Sequence, residues 1–372
     1  MNTLVFDTSI TGHHLEYIHH LYLGMMERKD IRFLFVIPDF NKAEQVKYSW
    51  PKAENIEFDF LSEKEVDAIK NCSLLFSAWR RSKLVRKKAK EHHADSVFLI
   101  MLMAFMPFIL FMLPSKVKLS GIIYRIYLYE WKELNWAKSI KDVISNWFLS
   151  HSKHIDKIFI LNDSSAVAYL NKLYKTNHFA FLPDPFNKID YESKNIRKEL
   201  GIKRNQKMLL HFGGLSRRKG TITILDSIPL VSESIINQYV FVFAGIVYPD
   251  IRKEFYEKVS QLNDKVHIVL FDGFCSNERL YDLCYSCDLI LVPYSNTSQS
   301  SGIVNYADYF QKSILGPRKG LLGKLIRKRQ GIAMDRVDAA SLASILSANE
   351  FPSTQSVYKE PPSISDFYNR VL

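Results

Sequence analysis

Short apolar runs alternate with amphipathic helical patterns twice along the chain, and this alternation constrains the fold more than any other feature. A helix is predicted at Leu15–Met26, where apolar residues recur on one helical face. Strands that alternate with helices form βαβ crossovers and therefore a parallel sheet. The strands predicted in the first half are Thr3–Ser9, Ile31–Pro38, Ile56–Ser62, Ser96–Met103, Gly121–Tyr127 and Lys157–Asn162.

The second half repeats the pattern, and several of its strands are apolar throughout, as expected when both faces of a sheet are covered. Its predicted strands are Met208–Gly213, Tyr239–Gly245, Val266–Gly273, Leu289–Tyr294, Ser313–Gly316 and Gly331–Met334. The predicted helices between them include Thr221–Leu230 and Asn277–Cys287.

A chain of 372 residues suits two domains. We predict an α/β protein with two Rossmann-like, doubly wound domains that face each other across a cleft. Residues 1–180 form the first domain and residues 181–350 the second. Leu182-Pro-Asp-Pro-Phe186 marks the junction, because two prolines stiffen a linker. Residues 351–372 end in a short amphipathic helix that is expected to dock near the N-terminal domain.

The composition, with 47% hydrophobic and 24% charged residues, excludes a disordered chain. The net charge of +11 favours polyanions, anionic lipid surfaces or phosphorylated ligands without choosing among them. The densest basic clusters are Arg80–Lys90 and Arg318–Arg329, and a solvated helix face is the alternative to a binding role for each. A nucleic-acid partner is not expected, since such proteins usually interleave aromatic residues with a basic stripe.

No signal peptide opens the chain, because Met1–Ser9 predicts a strand, and the expected location is the cytoplasm. Cys284 and Cys287 have CxxC spacing but no second pair, which favours packing over a metal or redox site. The uncharged run Val97–Pro114 is at the lower limit for a membrane span, but Pro107 interrupts it. We predict a buried strand and an apolar helix there. Peripheral contact with the inner face of the membrane stays open.

Ligands of doubly wound folds bind at loops that follow the carboxyl ends of strands. The loop after the first strand, from Thr8 to His14, contains Gly12, which permits close approach of a ligand. His13 and His14 lie at the helix start, where backbone N–H groups are free to meet anions. We interpret this loop as an acceptor site with proton transfer by one histidine. The alternative is a capping and packing role.

Two loops of the second half suit a diphosphate. In the first, Gly213 and Gly214 leave the strand, and the cations Arg217, Arg218 and Lys219 precede a helix. The second is rich in serine and ends at a helix start with Ser300, Ser301 and Gly302. The alternatives are a charged turn and an ordinary capped loop. Phe274, after the third strand of this half, is a candidate wall for a nucleotide base.

The second half resembles the family 4 glycosyltransferases of the GT-B fold over roughly residues 159–346. The matching pieces, in the family's order, are Leu182-Pro-Asp-Pro, Phe212-Gly-Gly-Leu…Lys219-Gly220, Gly273…Glu278…Leu280…Cys287-Asp288…Pro293 and Ser301-Gly302…Ala307…Lys312-Ser313-Ile314…Gly320…Gly331-Ile332. The loop with Gly12, His13 and His14 occupies the place of the family's acceptor loop.

The resemblance implies a retaining transfer from a nucleoside diphosphate (NDP) sugar to a glycan or lipid-linked acceptor, without a metal or cofactor. It implies that Lys219 holds the donor phosphates and that Ser300, Ser301 and Gly302 present N–H groups to the diphosphate or sugar. A basic, peripheral protein of this kind suits bacterial surface polysaccharide synthesis.

The sequence departs from the family at two points. Gly214 stands where the family often has an arginine, with Arg217 or Arg218 as substitutes. The family's two glutamates are absent, since no glutamate occurs between Arg279 and Glu350. The serine-rich loop fills the first position, and Asn305 or Tyr306 lies near the second. Three alternatives to the enzyme therefore stay open: a non-catalytic nucleotide-sugar-binding protein, a nucleic-acid-binding protein and a nucleotide-sugar epimerase.

Overall fold

The computed structural model describes residues 1–10, 13–42, 48–129, 136–351 and 361–372. The chain divides into two compact units. The first unit comprises Met1–Asp184 together with Ser363–Leu372, and the second comprises Pro185–Pro362. The last helix of the chain thus belongs to the first unit, and the junction falls inside the Leu182–Phe186 segment.

The first unit contains a seven-stranded sheet in the order β3-β2-β1-β4-β5-β6-β7, and all its pairs are parallel. Its strands are β1 (Asn2–Phe6), β2 (Arg32–Pro38), β3 (Ile56–Leu61), β4 (Ser96–Leu99), β5 (Lys118–Ile123), β6 (Ile155–Leu161) and β7 (Phe179–Leu182). Its helices are α1 (His13–Met25), α2 (Glu63–Lys70), α3 (Leu74–Glu91), α4 (Ile109–Met112), α5 (Trp136–His151), α6 (Ser164–Tyr174) and α14 (Ile364–Val371).

The core of the first unit forms where α1 and α14 cover the central strands. Ile18 and Leu21 of α1 are fully buried, as are Leu4 to Phe6 of β1. Phe367 of α14 is also fully buried, and its ring centroid lies 5.3 Å from that of Tyr17. Burial of one apolar helix face against a sheet is the main source of stability in such a layer.

The second unit repeats the architecture with a six-stranded parallel sheet in the order β10-β9-β8-β11-β12-β13. Its strands are β8 (Lys207–Phe212), β9 (Tyr239–Gly245), β10 (His267–Asp272), β11 (Leu289–Leu291), β12 (Ser313–Pro317) and β13 (Ile332–Met334). Its helices are α7 (Thr221–Ser227), α8 (Glu233–Ile236), α9 (Arg252–Leu262), α10 (Asn277–Ser286), α11 (Ile303–Tyr309), α12 (Gly320–Lys328) and α13 (Ala339–Ala348).

In each sheet the strand order reverses direction at one place, between β1 and β4 and between β8 and β11. Loops that leave the two strands at such a switch point diverge and leave a crevice, where doubly wound proteins bind ligands. The glycine-rich loop follows β8 and the serine-rich loop follows β11, so both predicted phosphate loops of the second unit start at its switch point.

Several strand bounds are shifted from the sequence prediction; the strand predicted at Gly121–Tyr127, for example, is observed at Lys118–Ile123. Two further differences concern whole elements. β4 ends at Leu99, and the apolar run continues through a 3₁₀ turn at Leu102–Phe105 into the short helix α4. The strand β7 was not predicted, because it has only four residues and ends at Leu182, where the predicted junction begins. Across the described residues, no helix has both the length and the apolar character needed to cross a bilayer.

Candidate functional site

The loop after β8 is tightly folded around the ammonium group of Lys219. Gly213 and Gly220 adopt φ angles of +93° and +75°, in the left-handed region that favours glycine. A Cβ atom on Gly213 would lie 2.7 Å from Nζ of Lys219, and one on Gly245 would lie 1.9 Å from the carbonyl oxygen of Gly213. Gly245 is therefore required for the close approach of β9 to this loop, and the positive φ angles favour glycine at 213 and 220.

The three cations of this loop have different environments. Arg217 forms an ion pair with Glu254, so its charge is compensated. Arg218 is exposed and Lys219 is half-buried, and neither pairs with a carboxylate in the described parts of the chain. Nζ of Lys219 lies 5.5 Å from the ring centroid of Tyr294. The loop thus presents two uncompensated positive charges beside turns of glycine backbone, as an anion-binding site requires.

The serine-rich loop after β11 lies directly against the lysine loop. The backbone N–H and the hydroxyl of Ser295 both donate to the carbonyl oxygen of Arg218, at 3.0 and 3.2 Å. A Cβ on Gly220 would lie 2.1 Å from the carbonyl oxygen of Pro293. The structure therefore brings together the two loops that were predicted to bind one diphosphate.

Three predicted residues, Ser300, Ser301 and Gly302, are half-buried and immediately precede α11. They lie at the far end of the same loop that begins with the Ser295 contact. Asn305 is 2% exposed, and Tyr306 packs its ring 5.0 Å from Phe186 and 5.3 Å from Phe212. The side chains near the position of the family's second glutamate are therefore engaged in packing.

A buried histidine fixes the base of the lysine loop. Nδ1 of His211 donates to the carbonyl oxygen of Leu291 at 2.9 Å, and its Nε2 accepts from the hydroxyl of Thr221 at 3.0 Å. The same hydroxyl accepts from the N–H of Ser216 at 3.0 Å. Burial, with a contribution from the charge of Lys219, lowers the pKa of His211 to about 4, so the imidazole is neutral. His211 thus joins β8 to β11 without competing for an anion.

Two exposed aromatic rings lie at the same edge of the sheet. Phe274 is 57% exposed and follows Gly273, whose φ is +135°. Tyr248 is 48% exposed, and its ring lies over Gly214, where a Cβ would approach within 2.9 Å. The sequence prediction named Phe274 but missed Tyr248. Tyr248 could have been found as an aromatic residue shortly after the second predicted strand of the second half. Its loop pairs with the lysine loop at Leu215.

In the first unit, the histidine loop follows β1. Gly12 lies outside the described residues, and His13 is described only as the first residue of α1. Nδ1 of His14 lies 2.6 Å from Oδ2 of Asp7, and these side chains are 23% and 3% exposed. The sequence prediction missed Asp7, because the predicted first strand, Thr3–Ser9, includes it, whereas the observed strand ends at Phe6.

The neighbours of this pair come from other elements of the first unit. The ring of Tyr124, after β5, stacks on the imidazole of His14 at a centroid distance of 6.4 Å. Nε of Arg81, from α3, donates to the hydroxyl of Thr8 at 3.2 Å. Burial lowers the pKa of Arg81, and the carboxylate of Asp7 opposes that effect. The imidazole is therefore held by ring packing on one side and by the hydrogen bond to Asp7 on the other.

The remaining candidate clusters are structural in character. Cys284 and Cys287 are buried in the core at the end of α10, and burial raises the pKa of the Cys287 thiol to about 12. In the described residues no group of histidine, cysteine and carboxylate side chains is arranged to hold a metal ion. The basic cluster Arg318–Arg329 is divided, because Arg329 is 2% exposed and paired with the buried Asp308 at 2.5 Å.

A known family model matches the part of the chain that carries these two loops. Residues 192–307 match the family model described as Glycosyl transferases group 1. The matched segment includes the lysine loop, the serine-rich loop and the first five residues of α11. The second unit carries a group 1 glycosyltransferase domain. The predicted resemblance and the predicted enzyme class are confirmed at this level, and the chain is a glycosyltransferase.

Solved glycosyltransferase structures share the fold over nearly the whole chain. A sucrose-phosphate synthase from Thermosynechococcus elongatus is 14% identical, with a TM-score of 0.66 and coverage of 93% of this chain and 88% of the other. WaaG, a glycosyltransferase of lipopolysaccharide biosynthesis, is 15% identical, with a TM-score of 0.64 and coverage of 94% and 90%. The predicted GT-B-like α/β fold class is thus confirmed.

A third similar structure was solved with ligands. Anabaena HepE, in complex with UDP and glucose, is 13% identical, with a TM-score of 0.61 and coverage of 94% of this chain and 89% of the other. At these identities the likeness establishes the fold of this glycosyltransferase. Among curated proteins, none matches the sequence significantly.

Proposed function

We propose that this glycosyltransferase moves a sugar from an NDP-sugar, bound by the second unit, to a glycan or lipid-linked acceptor bound at the histidine loop of the first unit. The observation that carries the donor assignment is the contact between the Lys219 loop and the serine-rich loop. Two uncompensated cations and glycine backbone meet there at the switch point of the sheet. The complex of HepE with UDP and glucose supports a nucleotide donor.

The chemistry follows from the charge of the leaving group. The diphosphate gains negative charge as the glycosidic bond to it breaks, and fixed cations and N–H dipoles stabilise that charge. Lys219 and Arg218 are the side chains that supply the stabilising positive charge, and the backbone before α11 provides a second contact. The proposal includes retention at the anomeric carbon and no metal or cofactor, both taken from the family resemblance. A role in surface polysaccharide synthesis is proposed on the same ground.

The donor proposal is tested by titrating purified protein with UDP-, GDP-, TDP- and CMP-sugars and then measuring turnover with glycan and lipid-linked acceptors. We expect saturable binding of one class of NDP-sugar and its acceptor-dependent consumption. Failure of every NDP-sugar to bind would contradict the proposal. Tight binding without transfer to any acceptor would instead favour the non-catalytic binding protein, consistent with the packing of Tyr306 in place of a glutamate.

We further propose peripheral contact with an anionic membrane through the start and outer face of α3, called the α3 surface. Leu74, Leu75 and Phe76 are 82%, 56% and 45% exposed in the first turn. The exposed Lys83 and Arg86 follow on the same helix. Apolar side chains beside cations suit the interface of an anionic bilayer.

The α3 surface is tested by co-sedimentation with vesicles of phosphatidylglycerol and phosphatidylcholine. The double variant Lys83→Ala/Arg86→Ala is expected to bind anionic vesicles roughly 30-fold more weakly, at about 1 kcal/mol for each lost charge. The matched control Lys253→Ala/Lys265→Ala removes two exposed cations of the second unit and is expected to bind normally. Equal loss in both variants, or equal binding to neutral vesicles, contradicts this assignment.

A further inference from the structure

Asp7 and His14 form a carboxylate–imidazole pair with unequal exposure. Asp7 is 3% exposed, whereas His14 retains 23% of its side-chain exposure. Nδ1 of His14 and Oδ2 of Asp7 are separated by 2.6 Å. A buried carboxylate that contacts the inner nitrogen of a partly exposed imidazole leaves the other nitrogen as the one available to a ligand.

The second oxygen of Asp7 is held by its own chain. Oδ1 accepts from the backbone N–H of Thr8 at 2.6 Å and from that of Ser9 at 3.1 Å. Backbone N–H groups only donate, so they fix Oδ1 as an acceptor and set the plane of the carboxylate. Oδ2 is consequently directed at His14. Since a carboxylate only accepts, Nδ1 of His14 must carry the proton of this hydrogen bond.

We propose that Asp7 is a positioning residue that holds His14 in the Nδ1–H tautomer, so that Nε2 is the proton acceptor for the hydroxyl of the sugar acceptor. This inference rests on the proposed glycosyl transfer. In that step the hydroxyl proton passes to Nε2, and the hydroxyl oxygen forms a bond to the anomeric carbon of the donor on the face from which the diphosphate leaves, as the proposed retention requires. The bond from that carbon to the diphosphate breaks, and the diphosphate leaves with the electron pair.

The surroundings support one fixed orientation of the ring. Tyr124 stacks on the imidazole, and Arg81 supplies a positive charge beside Asp7 and Thr8. The other titratable groups on α1 near this cluster are Glu16 and Tyr17. Arg81 therefore places a cation beside the carboxylate that holds the ring.

The variant Asp7→Asn tests the tautomer directly, because it preserves shape. The two backbone N–H groups of Thr8 and Ser9 retain the amide oxygen at the Oδ1 position, and the amide NH₂ group then faces His14. A donor at that position forces Nδ1 to accept, so the proton moves to Nε2. The same exchange of a carboxylate for an amide beside a catalytic histidine produces the wrong tautomer in serine proteases.

The tautomer is read by NMR of protein labelled with ¹⁵N-histidine, at about pH 9, where a histidine of ordinary pKa is neutral. The chain has 11 histidines, and the His14 signals are assigned by their loss in His14→Gln. We expect Nδ1–H in the native protein and Nε2–H in Asp7→Asn. Nε2–H in the native protein, or an unchanged tautomer in the variant, overturns the proposal whether or not transfer is observed.

Kinetics provide the second measurement. Asp7→Asn is expected to lower kcat about 100-fold or more, the usual contribution of general base catalysis, with donor affinity unchanged. The matched control is Asp59→Asn, which alters a second carboxylate–histidine contact of the first unit, 3.1 Å from His92. It is expected to leave kcat and the His14 tautomer unchanged.

A kcat of Asp7→Asn equal to that of the control overturns the positioning role. Absence of any transfer by the native protein contradicts the proposed function instead.

Discussion

Replacing Lys219 by alanine is expected to weaken binding of the NDP-sugar at least tenfold. Nζ of this lysine lies 2.7 Å from the position that a Cβ of Gly213 would occupy and 5.5 Å from the ring centroid of Tyr294. In the described residues it makes no ion pair with a carboxylate. Its charge is therefore available to a phosphate, and the side chain is already confined before the donor binds. Little conformational entropy is then lost on binding.

The magnitude follows from the type of contact. A hydrogen bond to a charged group contributes about 1.5–3 kcal/mol, which corresponds to a loss of about 10- to 150-fold in affinity. The lysine is half-buried, so the upper part of the range requires that the bound nucleotide excludes water from the contact. Alanine also removes the cation–π contact with Tyr294, so unfolding free energy is expected to fall by about 0.5–1 kcal/mol.

The assay is calorimetric titration of the native protein and variants with the NDP-sugar found by the screen, at two salt concentrations. Arg217→Ala is the matched control, because it removes a cation of the same loop that is already paired with Glu254. We expect its affinity to change less than about twofold. Lys219→Ala is also expected to show a weaker dependence of affinity on salt than the native protein.

Two results would refute the reasoning. Unchanged affinity in Lys219→Ala, with the variant folded, removes this side chain from the donor site. An equal loss in Arg217→Ala and Lys219→Ala would show that only the general positive potential of the loop matters. In that case the close contacts of Lys219 with Gly213 and Tyr294 serve packing.

Two further predictions concern stability. Arg329→Met removes the cation that pairs with the buried carboxylate of Asp308 and is expected to lower the free energy of unfolding by about 3–5 kcal/mol. The double variant Asp308→Leu/Arg329→Met is expected to recover most of this loss. Denaturant unfolding measures both variants, and equal stability of the two contradicts the argument. The pKa of His211 is depressed in the folded state. Its contribution to the free energy of unfolding is therefore complete above the unfolded pKa near 6.5 and is lost as the pH falls towards about 4. The native protein is thus expected to lose roughly 1–2 kcal/mol more than His211→Gln between about pH 7 and 5 in denaturant unfolding, and parallel losses would show that His211 is not buried neutral.

The sheet topology was accessible from sequence because apolar runs and helical periods are local signals. β9 was predicted with its observed bounds, Tyr239–Gly245, since every residue of that run is buried. The strand after Ala94 was predicted too long, because an apolar run continues unchanged from strand into 3₁₀ turn and helix. β7 was missed because its four residues precede Pro183, and a strand that short carries little periodicity.

The candidate site was predictable as a set of loops but not as a set of contacts. The rule that ligands bind after the carboxyl ends of strands selected the loops of Lys219 and Ser301. It could not show that Ser295 donates to the carbonyl of Arg218, because that contact joins residues 77 positions apart. The Asp7–His14 pair was likewise hidden, because the side-chain directions at a strand end and a helix start depend on the intervening loop.

The absence of glutamates has a physical consequence for donor recognition. From Leu289 to Ala307 the sequence contains no carboxylate, so the serine-rich loop presents hydroxyls and backbone to a ligand. Carboxylates accept hydrogen bonds from sugar hydroxyls strongly but repel a nearby diphosphate. A site without carboxylates keeps its positive potential for the diphosphate and offers the sugar only weaker hydrogen-bond acceptors. This donor site is therefore expected to discriminate among nucleotides, through Phe274 and Tyr248, more sharply than among sugars on the same nucleotide.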